Sequence, residues 1–156
     1  MPMLDSNIIV RRAEACDAKA IQALYRELVP NPAVSVLPER IAEVALDSNT
    51  MLLVAETGGA VVGTVLVTLC QDVMFQRQPF AVIENVVVSS SYRRLGVGAA
   101  LLKQAEHHCR AANCSKIMLL SSVERTEAHT FFRQAGFVGS LKKGFIKYRR
   151  QFEVAG

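Results

Sequence analysis

The segment from residue 81 to 112 constrains the fold most, because it predicts a strand, a glycine-containing turn and a helix in direct succession. Its first part, residues 81–88, is apolar and rich in valine, which is typical of a buried strand. Its last part, residues 96–112, carries an apolar stripe at helical spacing. A strand that continues through a helix reaches its next strand in parallel, so this segment predicts a mixed α/β fold.

The rest of the chain supplies the other elements of a mixed sheet. Gly58 and Gly59 separate two apolar, β-branched runs and predict a tight hairpin. Pro38 suits the first turn of a helix, and Gly136 suits the end of another. The predicted strands cover residues 8–10, 51–56, 60–69, 81–88, 116–120 and 144–150, and the other predicted helices cover 17–30, 38–47 and 126–135. The predicted fold class is therefore α/β: an antiparallel meander whose last strand leads to a parallel neighbour, flanked by about four helices.

Composition and length exclude several classes of protein. The 156 residues fit one domain, and 51% hydrophobic with 21% charged residues predict a compact globular protein. No apolar run approaches the ~20 residues of a membrane span and no signal-peptide pattern is seen, so a cytoplasmic protein with no membrane partner is expected. The net charge of +4 is dispersed, which does not favour a nucleic-acid partner. Four cysteines without ligand spacing predict no metal site.

The turn at residues 93–98, Arg-Arg-Leu-Gly-Val-Gly, predicts a phosphate site. The start of a helix leaves backbone N–H groups unpaired and carries about half a positive charge, and glycine lets an anion approach that backbone closely. The turn lacks the Gly-Lys-Ser/Thr of a P-loop, and Arg93 stands where a dinucleotide fingerprint needs its first glycine. The alternative is that both arginines are solvated and the glycines only shape the turn.

Two motifs resemble those of the GCN5-related N-acetyltransferase (GNAT) superfamily. Residues 83–88 and 92–102, IENVVV and YRRLGVGAALL, resemble its core motif, Q/R-x-x-G-x-G/A. Residues 128–137, AHTFFRQAGF, are similar to its second signature, A-x-x-F-Y-x-K-x-G-F. The resemblance covers about residues 8–150 and implies a single N-acetyltransferase domain over 1–156, with acetyl-CoA as the co-substrate.

The resemblance also implies which residues hold the coenzyme. The strand at 86–88 is implied to splay from its parallel neighbour, so that the pantetheine arm pairs with its backbone. The pyrophosphate is implied to lie on the glycine turn, with Arg125 and Phe132 bordering the adenosine or pantetheine side. The full implied coenzyme site consists of Val86, Val87, Val88, Arg93, Arg94, Leu95, Gly96, Val97, Gly98, Ala99, Arg125 and Phe132.

Two positions depart from the family pattern. Phe132 stands where the family has a tyrosine that donates to the departing thiolate, and Arg125 stands where it often has an asparagine. Coenzyme binding is expected to survive both changes. A different donor to the thiolate is then needed, and Tyr148, Ser121 or a water molecule are the candidates.

The chemistry of amine acetylation indicates Glu84 and Val86 as the catalytic groups. An alkylammonium with a pKa near 10.4 must lose its proton before attack, and Glu84 is a carboxylate just before the acyl-binding segment. The backbone N–H of Val86 would hold the oxyanion during direct attack by the amine. Glu84 could instead be an exposed strand residue or a structural hydrogen-bond acceptor. Tyr25, Phe75 and Phe80, together with Glu84, are the predicted acceptor-binding residues, although core packing is equally compatible with the aromatic side chains.

The preferred function is acetyl transfer from acetyl-CoA to a primary amine of a small molecule. Three alternatives stay open: a non-catalytic acyl-CoA-binding or sensing module, which Phe132 favours; an acetyltransferase of protein lysines or N-termini; and the glucosamine-6-phosphate branch of the superfamily, which has a similar short strand segment. The predicted strand around Phe145 and Ile146 is apolar and suits a homodimer interface, since relatives are often dimers.

Overall fold

The computed structural model describes residues 7–153. Backbone contacts divide the chain into two compact units, with the boundary in sequence between Leu119 and Leu120. The first unit contains β1 (Ile9–Arg12), α1 (Ala18–Leu28), α2 (Pro38–Ala45), β2 (Thr50–Thr57), β3 (Ala60–Cys70), β4 (Phe80–Val88), α3 (Val97–Ala111) and β5 (Ile117–Leu119). The second unit contains α4 (Thr126–Gln134). The predicted order of elements is confirmed as far as α4.

The five strands form one mixed sheet in the order β1-β2-β3-β4-β5. Neighbouring strands from β1 to β4 are antiparallel, whereas β4 and β5 are parallel. The β2–β3 hairpin turns at Gly58 and Gly59, whose φ angles of 57° and 78° are readily adopted by glycine. The predicted α/β class, with an antiparallel meander and one parallel pair, is confirmed.

Helices cover both faces of the sheet in the first unit. Val54 of β2 packs with the apolar side of α1, including Ile21. On β3, a Cβ atom at Gly63 would lie 2.9 Å from Cγ1 of Val97, so Gly63 faces α3. Gly63 pairs with Ala55, and adjacent residues of a strand point to opposite faces. Therefore α1 and α3 lie on opposite faces, which explains why β2 and β3 are apolar on both sides.

An ion-pair network ties β1 to β2 and to the start of α1. The two terminal nitrogens of Arg11 bind the carboxylate of Asp17 at 2.8 and 2.9 Å, and its Nε donates to Glu56 at 3.0 Å. Asp17 is only 5% exposed and also accepts a hydrogen bond from the backbone N–H of Glu14. The hydrogen bonds from Arg11 hold the pKa of Asp17 below its usual value.

Three of the four cysteines, Cys70, Cys109 and Cys114, lie near one another. Cys109 is buried, and burial together with the nearby Cys114 raises its pKa to about 12. Cys70 lies near enough to interact electrostatically with Cys114. A raised pKa makes a thiol a poor nucleophile and a poor metal ligand. Within residues 7–153, no group of His, Cys, Asp and Glu side chains is arranged to hold a metal ion.

The second unit contains α4 and the chain that follows it. Gly136, with φ 97°, follows the end of α4, as predicted. Phe132 is 8% exposed, and its ring lies 5.3 Å from that of Phe131 and 6.1 Å from that of Phe137, measured between centroids. Phe131, Phe132 and Phe137 thus form an aromatic cluster within the second unit.

The predicted strand over 144–150 is wrong. The structure has no strand in this segment, which instead leads into a single helical turn at Arg149–Gln151. Phe145 and Ile146 are 87% and 65% exposed. Apolar residues stabilise a strand through cross-strand neighbours, and in the part of the chain that the structure describes this segment pairs with no strand. The homodimer interface expected on it stays a prediction.

Candidate active site

A bulge interrupts β4 where the sequence resembles the family core motif. The pairing register of β4 with β3 shifts between Glu84 and Val87. Asn85 and Val86 therefore lie together opposite the single residue Val65. Asn85 has φ 56°, in the left-handed region that asparagine adopts more readily than most residues. The bulge breaks the β3–β4 ladder at Val86, so a ligand can compete for its backbone groups.

The parallel pairing of β4 ends just before this bulge. The last pair joins Ile83 of β4 to Leu119 of β5, whereas β4 itself continues to Val88. On the side of β4 that faces β5, residues 84–88 therefore pair with no strand in the described part of the chain. An extended ligand can lie there and hydrogen-bond with the backbone as an additional strand would.

The glycine turn joins this strand end to α3. Gly96, with φ 86°, is the N-cap residue of α3, and Arg94 before it has φ 64°. The backbone N–H of Ala100 donates to the carbonyl of Gly96 at 3.0 Å, which is the first intrahelical hydrogen bond. The N–H groups of the preceding residues 97–99 have no carbonyl one turn earlier to bind. Residues 93–96 are exposed, so this helix start is open to an anion.

Two arginines, Arg93 and Arg94, belong to the turn. Nε of Arg93 donates to the carbonyl of Val88 at 3.5 Å, a long hydrogen bond that leaves the rest of the guanidinium group exposed. Both arginines precede a helix start that carries a partial positive charge. The local electrostatics therefore favour a ligand with more than one negative charge.

The last two turns of α1 border the same region. Tyr25 is partly buried, and its ring packs against the core between α1 and the sheet. Burial raises the pKa of Tyr25, and the nearby side chain of Asn85 acts in the opposite direction. Glu27 accepts a hydrogen bond from the backbone N–H of Ser90 at 3.0 Å. Thus α1 is hydrogen-bonded to the backbone just beyond the end of β4.

Phe75 and Phe80 do not lie near the bulge of β4. Phe80 begins β4 and lies four residues, or about 13 Å along the strand, before Glu84. The ammonium group of Lys116 lies 5.3 Å from the centroid of its ring. Phe75 is 60% exposed on the loop between β3 and β4. Of the predicted acceptor-binding residues, Tyr25 and Glu84 share one end of β4, whereas these two lie at the other.

The remaining predicted residues belong to the second unit. Arg125 is exposed at the N-cap position of α4, and its backbone N–H donates to the carbonyl of Ser122 at 3.0 Å. The phenyl ring of Phe132 is buried in the aromatic cluster described above, so it offers neither a hydroxyl nor an open face. Ser121 Oγ is buried and has no hydrogen-bond partner among the described residues. A cleft of about 390 Å³ in this unit contains none of the predicted residues, because Arg133, Phe137, Val138, Gly139 and Ser140 line it.

Sequence reasoning missed Asn85 and Glu27. The signal for Asn85 was available, since an asparagine inside an otherwise apolar strand suits a left-handed bulge residue. For Glu27 there was none, because its contact with Ser90 joins positions 63 residues apart.

Known proteins resemble this chain in sequence over most of its length. The sequence model of the acetyltransferase (GNAT) family matches residues 19–137. The chain is 27% identical over 129 residues to an aminoalkylphosphonate N-acetyltransferase of Salmonella typhimurium (strain LT2), covering 82% of this chain and 83% of that protein. It is 28% identical over 139 residues to the aminoglycoside N(6')-acetyltransferase type 1 of Klebsiella aerogenes, covering 86% and 91%.

A solved structure of similar architecture supports the same assignment. A putative acetyltransferase from Agrobacterium tumefaciens str. C58 superposes with a TM-score of 0.82 at 27% identity, over 90% of this chain and 99% of that one. The family match covers the bulge of β4, the glycine turn and α4, and it extends over most of the chain. The chain therefore belongs to the GNAT family of acetyltransferases.

Proposed function

We propose that this acetyl-CoA-dependent enzyme transfers the acetyl group to the primary amine of a small molecule, by direct attack of the amine on the bound thioester. The observation that carries the proposal is the end of β4, where a bulge and an open strand edge lie directly before the exposed helix start of α3. The family match runs across both compact units, which supports one N-acetyltransferase domain over the chain.

The residues of the first unit suit acetyl-CoA as a substrate. The pantetheine arm has amide groups that can pair with the free backbone edge of residues 86–88. The pyrophosphate is an anion that the N–H groups of residues 97–99 and the guanidinium groups of Arg93 and Arg94 can bind. The roles of Arg125 and Phe132 rest on the family resemblance.

Glu84 is the proposed base for the incoming amine. An alkylammonium group has a pKa far above that of a carboxyl group, so direct proton transfer to a carboxylate is strongly uphill at neutral pH. Glu84 is exposed beside the bulge, where it can attract an ammonium group and pass the proton to solvent through a water molecule. The neutral amine then attacks the thioester carbonyl, while the N–H of Val86 donates to the developing oxyanion.

Releasing the thiolate costs less free energy than deprotonating the amine. A thiol with a pKa near 8.5 lies about 1.5 units above neutral pH, so releasing the thiolate costs roughly 2 kcal/mol. Phe132 cannot protonate it. Ser121, with its unpartnered hydroxyl, and Tyr148, which is 51% exposed, are the proposed donors.

The acceptor is proposed to be a small cationic amine. Both sequence relatives named above are N-acetyltransferases of small molecules. Around the bulge, the carboxylates of Glu84 and Glu27 provide negative charge that attracts an ammonium group. A non-catalytic acyl-CoA sensor is the second candidate, and the missing hydroxyl at Phe132 is the observation that favours it.

A thiol-release assay tests the proposal. Acetyl-CoA is offered with a panel of amines: aminoglycosides, polyamines, amino sugars and their phosphates, aminoalkylphosphonates, amino acids and short peptides. Coenzyme A binding is measured beside it by calorimetry. Turnover of one small amine is expected, and Glu84→Gln should lower kcat by ~10²–10⁴ at unchanged coenzyme affinity.

Glu39→Gln is the matched control, because Glu39 is an exposed glutamate on α2. It should leave both kcat and coenzyme binding at wild-type values. Tight coenzyme binding without turnover of any amine would support the sensor instead, and no coenzyme binding would contradict both candidates.

A further inference from the structure

The segment between β4 and the glycine turn is held by backbone contacts to two other elements. The N–H of Ser89 donates to the carbonyl of Val62 on β3 at 2.8 Å. The N–H of the next residue, Ser90, donates to the carboxylate of Glu27 on α1 at 3.0 Å. Residues Ser90–Tyr92 form a single helical turn. Two consecutive N–H groups therefore fix the start of this helical turn to the sheet and to α1.

Glu27 is well placed to accept this hydrogen bond. It lies in the last turn of α1, where Leu24 is 3% exposed and Tyr25 packs against the core. Burial of these apolar neighbours holds the backbone of α1 against the sheet, so the position from which the exposed carboxylate of Glu27 extends is fixed. A carboxylate also accepts a hydrogen bond from a backbone N–H more strongly than a neutral group does. The N–H of Ser90 thus has a strong acceptor that α1 supplies.

The helical turn at Ser90–Tyr92 leads directly into the proposed pyrophosphate site. Nε of Arg93 donates back across it to the carbonyl of Val88 at 3.5 Å, and the N-cap residue of α3 follows at Gly96. The position of Ser90 therefore influences where the guanidinium group and the unpaired N–H groups of α3 lie. The apparent affinity for a ligand falls in proportion to the fraction of molecules that have the binding conformation. A contact that holds this segment can thus strengthen coenzyme binding without touching the coenzyme.

We propose that Glu27 is a positioning residue, whose carboxylate acts through the N–H of Ser90 to hold the glycine turn in the conformation that binds the pyrophosphate. This inference rests on the coenzyme-binding part of the proposed function. It gives Glu27 a role beyond attracting the ammonium group of the acceptor, and the two roles predict different effects of substitutions at this position.

Calorimetric titration with coenzyme A tests the proposal without any acceptor. Glu27→Ala should raise Kd about fivefold, since one hydrogen bond contributes about 1 kcal/mol and 1.4 kcal/mol corresponds to a factor of ten. Glu27→Gln keeps an oxygen that can accept from Ser90, although it forms a weaker bond, so it should raise Kd by about twofold at most. Rescue by glutamine is the expected signature of a hydrogen bond to the backbone.

Two other roles of Glu27 give different results. If Glu27 acted only through its charge, alanine and glutamine would have the same effect, and both would strengthen the binding of an anion. If its role were merely structural, Glu27→Ala would lower the melting temperature and leave Kd of the folded protein unchanged. Either outcome overturns the proposal. Glu39→Ala, at an exposed glutamate on α2, is the matched control and should leave Kd at the wild-type value.

Substitutions of Ser90 test the donor of the hydrogen bond. Ser90→Pro removes the N–H but suits the first position of a helical turn, and Ser89 before it has ψ 136°, in the range that a following proline requires. This variant should raise Kd as much as Glu27→Ala, whereas Ser90→Ala keeps the N–H and should bind as the wild type does. The double variant Glu27→Ala/Ser90→Pro should bind no more weakly than either single variant. An undiminished effect of Glu27→Ala in the Ser90→Pro background would show that Glu27 acts independently of Ser90 and would overturn the proposal.

Amide hydrogen exchange of Ser90, followed by NMR, tests the contact itself. Ser90 is exposed, so its N–H should exchange faster once its partner is removed. Exchange should accelerate in Glu27→Ala and much less in Glu27→Gln, while the amide of Ser89, which binds Val62, should keep its rate. An unchanged rate for Ser90 in Glu27→Ala overturns the proposal. If no amine is turned over, the proposed acetyl transfer fails, and the titrations and exchange rates still decide the role of Glu27. If the wild type binds no coenzyme A, both proposals fail.

Discussion

At the scale of single residues, Ser121 stands out, because most buried polar side chains form hydrogen bonds. Its Oγ is buried without a hydrogen-bond partner among residues 7–153. A buried polar group left without a partner costs about 1–3 kcal/mol, so such groups are rare unless they serve a function. The position follows β5 by two residues, and the hydroxyl is one of the two donors proposed for the thiolate.

Ser121→Ala should therefore raise the free energy of unfolding by about 1 kcal/mol, because it removes the unpaired hydroxyl at little cost in packing. Urea unfolding measures this change. Ser122→Ala, at the exposed neighbouring position, should change stability by no more than about 0.5 kcal/mol. If Ser121 is the donor to the thiolate, the same variant will also lower kcat. A loss of stability would instead reveal a hydrogen bond at this hydroxyl.

At the scale of elements, the contact of α3 with β3 determines where the start of α3, the proposed phosphate site, lies. A Cβ atom added to Gly63 would lie 2.9 Å from Cγ1 of Val97, 3.0 Å from Cδ1 of Leu101 and 3.3 Å from the carbonyl of Val87. Val97 is the first residue of α3, and Val87 lies in β4. Glycine at this position therefore lets the helix start and the bulged strand approach each other.

Gly63→Ala should destabilise the protein by about 1–3 kcal/mol, because the added methyl group overpacks this contact. It should also weaken coenzyme A binding, since α3 must shift relative to β4. Urea unfolding and calorimetry measure the two effects. Gly139→Ala is the control, because a Cβ atom there meets nothing within 4 Å. Unchanged stability in Gly63→Ala would contradict close packing of α3 on β3.

At the scale of the whole molecule, the Arg11–Asp17 pair makes stability depend on pH. Hydrogen bonds from Arg11 lower the pKa of Asp17 in the folded protein below its unfolded value. The carboxylate of Asp17 therefore makes its full contribution to stability at pH values above its pKa in the unfolded chain, which is near 3.9. This contribution is lost as the pH falls through the lower pKa that Asp17 has in the folded protein.

Asp17→Asn should lower the free energy of unfolding by about 1.5–3 kcal/mol at pH 7, because charge-assisted hydrogen bonds to a buried group are lost. The difference from the wild type should shrink as the pH falls below about 4. Urea unfolding at a series of pH values measures it, with Glu39→Gln as an exposed control. A difference that does not vary with pH would contradict the ion pair.

Much of the fold and part of the site were predictable because their causes are local. Glycine conformation explains the hairpin at Gly58 and Gly59 and the helix start at Gly96. The run of apolar residues over a few positions explains the strand before the turn. The glycine turn and the family motifs also predicted the coenzyme and the enzyme class, which the family match confirms.

Other features depend on residues far apart in the sequence, and only the tertiary structure decided them. The bulge at Asn85 depends on the register with β3, and the hydrogen bond between Glu27 and Ser90 joins positions 63 residues apart. The segment at 144–150 has the apolar pattern of a strand, but a strand forms only where a neighbour offers hydrogen bonds and side-chain contacts. Local sequence thus determined most of the elements and the glycine turn, whereas long-range pairing decided the shape of β4.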